Sequence, residues 1–200
     1  TLPAEQPLCL VGHSHGARAV LASLHLLGGG RLEEGKGLAT GVSPPRRIRA
    51  ALFAPAVDHH WMDPGERYGN ALFSVERMLI VRNSEDAALS LYPLRKPFGH
   101  RSLGRAGLKD EDRYRLRDLG SKVDEYDAAP FVRTRHAWFN YYELPQLAQG
   151  LQPYLDFQET GVLPPGAGGP MLQDPTNGPA FPSGQPAFPD AGSAPERRLN

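Results

Sequence analysis

One short segment constrains this chain more than any other. Leu8-Cys9-Leu10-Val11 is a continuous apolar run that passes into Gly12-His13-Ser14-His15-Gly16, and a helical pattern follows from Ala17 to Leu27. A short apolar run without polar alternation suits a strand buried on both faces of a parallel sheet. Val20, Leu21, Leu24 and Leu27 fall on one helical face, and Gly28-Gly29-Gly30 ends the helix. A strand that turns directly into a helix puts the turn at the C-terminal edge of a parallel sheet. Loops at that edge are where such folds keep their chemistry.

The rest of the chain repeats the alternation. Residues 28 to 47 are rich in Gly, Pro and charge and read as a loop. Ile48 to Phe53 reads as a second strand, closed by Ala54-Pro55, and residues 65 to 74 as a short helix. Met78-Leu79-Ile80-Val81 is a third strand, followed abruptly by polar Asn83-Ser84-Glu85-Asp86. Residues 93 to 107 read as loop, and Lys109 to Leu119 as a charged, exposed helix stopped by Gly120. Val123 to Tyr126 is a weak fourth strand, and Pro145 opens a last helix with Leu147, Leu151, Tyr154 and Leu155 turned inward. The expected class is α/β: a mainly parallel sheet of about four strands flanked by helices, spanning residues 1–160.

Gly12-His13-Ser14-His15-Gly16 matches Gly-x-Ser-x-Gly. Between a buried strand and a helix, that pattern describes a nucleophile elbow, a strained turn that holds a serine clear of the sheet. Glycines two residues to either side are expected to let the strand and helix backbones approach. The helix N-terminus brings a positive dipole and the His15 backbone N–H towards a developing oxyanion. The bland alternative is an ordinary strand-to-helix turn with a capping serine.

A serine needs a base, and the base needs an acid to orient it. Candidates must follow strands, because parallel strands place their C-terminal ends together. His136 follows the last strand after a short loop and precedes Trp138-Phe139. His100 lies within a long polar loop, His59 and His60 follow the second strand, and His25 sits mid-helix. His13 and His15 flank the serine too closely for their rings to serve it. Asp86 lies just beyond the third strand, and Asp58 just beyond the second. Some hydrolases take the acid from the earlier strand, so Asp58 stands as the alternative to Asp86.

The order Ser14, Asp86, His136 is the nucleophile–acid–base order of α/β-hydrolases. Leu10 to Ala17 resembles the elbow of lipases and esterases. Asp86-Ala87-Ala88-Leu89, the glycine-rich stretch after it and His136-Ala137-Trp138-Phe139 are similar to a bacterial α/β-hydrolase group of unknown function. The resemblance runs from about Leu8 to about Leu155. It implies hydrolysis of a carboxylic ester or related acyl compound through an acyl-serine, with no cofactor. It also implies that further strands, and the loop giving the second oxyanion donor, precede the nucleophile strand. The chain therefore reads as the C-terminal half of that fold, truncated at its N-terminus, and inactive when made alone. The rival reading is a catalytically silent hydrolase-fold module that binds a partner.

The totals narrow the classes. Twenty-two basic residues balance 22 acidic ones, which argues against nucleic-acid binding. Cys9 is the single cysteine, so no intrachain disulfide forms and a small buried hydrophobe is expected there. No membrane span is expected in this segment, and localisation is not assigned. His13 and His15 alternate, and Asp58, His59 and His60 cluster, but neither group shows metal-ligand spacing, so no metal is expected. Residues 161–200 hold nine prolines and seven glycines, and Pro-Ala-Phe-Pro occurs there twice. Such a tail buries too little apolar surface to order itself and is expected to be disordered, with a tail-bound protein partner open to it.

Overall fold

In the computed structural model, residues 6–32, 46–95 and 99–157 are described. The expected tail at 161–200, any partner it binds and most of the loop after the first helix lie outside them.

Four strands form one sheet: β1 (Leu8–His13), β2 (Ile48–Phe53), β3 (Arg77–Arg82) and β4 (Val123–Asp127). All are parallel, in the order β1-β2-β3-β4. Leu10 lies opposite Ala50, Ala50 opposite Met78, and Met78 opposite Val123. Side chains alternate across a strand, and the core divides accordingly. Ile48, Ala50, Leu52, Met78 and Ile80 belong to one apolar cluster, with Leu21 and Leu24 of helix α1 (Gly16–Leu27) against them. Ala51, Phe53, Leu79 and Val81 belong to a second cluster, with Leu147 and Tyr154 of the last helix, Pro145–Leu155. Helices therefore cover both faces, the α/β arrangement that the alternation predicts.

The expectation of a doubly buried strand fits β2, every residue of which is buried. It does not fit the first strand. Among the described residues β1 pairs with β2 alone, its first three residues are half-buried and Val11 is 43 % exposed. Arg49 is the exception within β2. It is a buried cation whose guanidinium bonds the Glu76 carboxylate and the Pro153 and Asp156 carbonyls at the end of the last helix. Those carbonyls are the ones a helix leaves without intrahelical partners.

Several local expectations are corrected. Residues 65 to 74 hold only a 3-10 turn, Ala71–Phe73, because Gly65 adopts a left-handed φ of 87° and a side chain at Gly69 would strike the Asp63 carbonyl. The loop at 93 to 107 contains a helical turn, Leu103–Ala106, which docks where a Cβ on Gly104 would lie 2.3 Å from Ala54 carbonyl carbon. The charged helix is shorter, Asp110–Leu116, because Arg117 turns left-handed at φ 51°. A 3-10 stretch then runs through Gly120 to Lys122, and Asp112 and Leu116 are buried on the inner side of the helix. In the last helix Leu147 and Tyr154 are buried and Leu151 is partly so, but Leu155 points outward at 49 % exposure. Among the described residues no helix is long and apolar enough to cross a membrane.

Candidate active site

Ser14 sits between the last residue of β1 and the first of α1, at φ 52°. A non-glycine residue held in that left-handed region carries strain of about 1–3 kcal/mol. The surroundings hold it there. Ser14 N donates to Phe53 O at 2.9 Å, and its carbonyl accepts from Ala56 N at 3.0 Å. The two flanking glycines differ in what they do. A Cβ on Gly12 would lie 2.9 Å from Val20 Cγ2 and 3.0 Å from Ala17 Cα, so the strand–helix approach requires glycine there. A Cβ on Gly16 would meet nothing within 4 Å, so the expectation that both glycines serve the approach holds for Gly12 only.

His136 reaches this turn from the loop after β4. Its Nε2 lies 2.8 Å from Ser14 Oγ, and its Nδ1 lies 2.7 Å from Asp86 Oδ2. A carboxylate only accepts, so Nδ1–H donates to Asp86, which leaves Nε2 to accept from the serine hydroxyl. Asp86 is fully buried. Its other oxygen, Oδ1, accepts from Leu89 N at 2.9 Å and caps a helical turn, Ala87–Ser90, that the sequence reading placed no element on. The Asp86 carbonyl takes a bond from Arg105 at 3.1 Å. The alternative acid, Asp58, is also buried, but its Oδ1 accepts from Tyr92 Oη at 2.7 Å. Asp86 is thus the carboxylate brought to His136.

Two groups that sequence reasoning passed over hold the histidine loop. Asn83 is fully buried, and its Nδ2 donates to Arg133 O at 2.7 Å and Arg135 O at 3.0 Å. Ala87 N adds a bond to Thr134 O at 3.2 Å. The only trace of this in the sequence is the polar stretch after an apolar strand. His13, set aside as a base, lies against His136 with ring centroids 5.0 Å apart, and its Nε2–H donates to the His136 carbonyl at 2.7 Å. Burial pushes the His13 imidazole below its ordinary value, so it sits beside His136 as a neutral ring. Behind the loop, burial pushes the Tyr141 hydroxyl up to about 12, which keeps it protonated.

The remaining histidines lie elsewhere. His25 Nε2–H donates to Arg31 O at 3.0 Å and its Nδ1 accepts from Asn70 N at 3.1 Å, a fully satisfied neutral ring. His59, His60 and His100 gather around one another. Trp138, Phe139 and Tyr142, close after His136 in the chain, leave their aromatic rings exposed. His15 supplies the first backbone N–H after Ser14, at the N-terminal end of α1.

A serine hydroxyl, an imidazole and a buried carboxylate in a single hydrogen-bonded line can carry out nucleophilic and general-base chemistry. Comparisons with known protein families, with characterised proteins and with solved structures find no match to this chain.

Proposed function

We propose that this chain is the nucleophile-bearing half of an α/β-hydrolase, and that it hydrolyses a carboxylic ester or related acyl compound through an acyl-serine. The observation that carries the reading is the unbroken line from Ser14 Oγ through His136 to the buried Asp86, begun at a strained serine on a strand-to-helix turn. An ordinary capping turn requires neither the histidine nor the carboxylate.

In this reading Ser14 Oγ attacks the acyl carbon while His136 Nε2 takes its proton. The carbonyl oxygen becomes an oxyanion, stabilised by the His15 backbone N–H at the N-terminal end of α1. His136 returns the proton to the departing alkoxide, which leaves an acyl-serine. Water, activated by the same imidazole, then releases the acid and restores the serine. Asp86 acts through His136, holding its tautomer and stabilising its cation. The exposed aromatic faces of Trp138, Phe139 and Tyr142 suit an apolar group on the substrate. No step calls for a cofactor.

The test is labelling of the full-length protein with a fluorophosphonate probe. Labelling that disappears in Ser14→Ala supports the enzyme. A folded wild-type protein that takes no label overturns it in favour of a silent binding module.

A further inference from the structure

The loop after β2 and the segment before Leu103–Ala106 run side by side. Asp58 and Ser102 form an antiparallel bridge, flanked by His59 N to Arg101 O at 3.3 Å and Leu103 N to Val57 O at 2.8 Å. This pairing brings together three histidines from two distant parts of the chain. Ring centroids of His59 and His60 are 5.2 Å apart, those of His59 and His100 5.6 Å, and those of His60 and His100 4.3 Å. One ring nitrogen of each lies within 4.8 Å of one ring nitrogen of each of the others.

The hydrogen bonds determine which nitrogens are on offer. His59 Nδ1–H donates to Asp112 Oδ2 at 2.7 Å. A carboxylate holding the far nitrogen of an imidazole fixes its tautomer and makes the near nitrogen a better donor to a metal. His59 Nε2 is then a bare lone pair, and it is buried with no hydrogen-bond partner among the described residues, as is His60 Nδ1. The His60 ring turns its Nε2 towards Glu66 Oε2, 3.9 Å away. The His59 side chain is 7 % exposed. An unpartnered buried polar atom costs about 1–3 kcal/mol, and mutual packing of three imidazoles does nothing to recover it. One cation at the centre would satisfy all three rings.

We propose that His59, His60 and His100 form a binding site for a late first-row divalent cation, with Zn²⁺ the ion of choice. Three neutral imidazoles are a donor set that suits this class of ion. Zn–N bonds of about 2.0–2.1 Å in tetrahedral geometry place donors about 3.4 Å apart, so binding would draw the three rings together from separations of up to 4.8 Å. Three protein ligands leave the fourth position to water. The ion would tie the β2 loop, whose Ala56 amide holds the Ser14 carbonyl, to the segment carrying His100. The site revises the expectation of no metal, and it stands independently of the proposed hydrolase activity.

The experiment uses tag-free full chain, stripped with EDTA and titrated with ZnCl₂ against a chromophoric zinc chelator, with thermal melts run alongside. One equivalent of Zn²⁺ is expected to bind and to raise the melting temperature. His100→Ala, at an exposed position where folding is safe, and His60→Ala should each weaken binding by at least about 10-fold and abolish the thermal shift. Ser14→Ala should bind zinc like the wild type. No uptake by the wild type, or undiminished uptake by either histidine variant, overturns the proposal.

Discussion

Asp86 shows at the scale of one residue how two demands share a side chain. One carboxylate oxygen holds His136 Nδ1 and the other caps the turn Ala87–Ser90. The same carboxylate is at once a turn cap and the hydrogen-bond partner of His136, and spacing along the chain does not separate the two. The double role separates two substitutions. In Asp86→Asn the side-chain oxygen still caps Leu89 N, but the amide NH₂ faces His136 Nδ1 and forces the tautomer that cannot accept the serine proton. Ester turnover should therefore fall while the melting temperature holds. Asp86→Ala should lose turnover and also about 1 kcal/mol of capping. Ser14→Ala and His136→Ala should each cost roughly 10³-fold or more in kcat. Steady-state rates on a chromogenic ester, paired with melts, check this. An Asp86→Asn variant with full kcat would remove Asp86 from the mechanism.

The strand–turn–helix element carries a contrast of its own. Gly12 is needed because Val20 and Ala17 leave no room for a Cβ, whereas Gly16 opens α1 with nothing near it. Gly12→Ala should cost about 1–3 kcal/mol by overpacking against backbone that cannot retreat. Gly16→Ala should be neutral or stabilise by up to about 1 kcal/mol, since alanine restricts the unfolded chain and favours the helix. Denaturant melts of the two variants measure both signs. Equal losses would mean that the motif's glycines act alike. The other elements show what pattern reading misses: the turn after Asp86, the turn at Leu103–Ala106 and the truncated helix at Asp110–Leu116 depend on a cap, a close docking and a left-handed Arg117. Helices this short have no apolar period to detect.

For the whole molecule, one buried acid makes a specific contribution to the dependence of stability on pH. Asp63 is 1 % exposed, neither carboxylate oxygen has a hydrogen bond among the described residues, and its nearest cation is Arg115 at 3.7 Å. Burial, helped by the Asp112 charge, pushes its carboxyl up from 3.8 to about 6. Between those values the folded chain keeps a proton that the unfolded chain has lost. Asp63 therefore makes stability fall as the pH rises from about 4 to about 6, and above that window the penalty is constant, on the order of 3 kcal/mol. Asp63→Asn removes the charge. In metal-free buffer its melting temperature should exceed the wild type's at pH 8 by roughly 6–12 °C and match it near pH 4. A gain of the same size at both pH values would show that charge is not the cause.

The apolar runs, the Gly-x-Ser-x-Gly turn and the alternation of strand and helix were sufficient, by themselves, to determine an α/β chain with a parallel sheet. They also placed Ser14, Asp86 and His136 beyond the first, third and fourth strands, whose ends share one edge because the sheet is parallel. Tertiary structure decided what depends on contacts between distant residues. It put Asp86 rather than Asp58 beside His136, used Asn83 to hold the His136 loop, and left β1 half-buried where the apolar run implied burial on both faces. It also set His100 against His59 and His60 through an antiparallel bridge that no local pattern encodes. The division has a physical cause. Periodicity and turn chemistry act over a few residues and are written in order along the chain. Hydrogen-bond partners and shared cavities are set by three-dimensional packing, and sequence order does not record it.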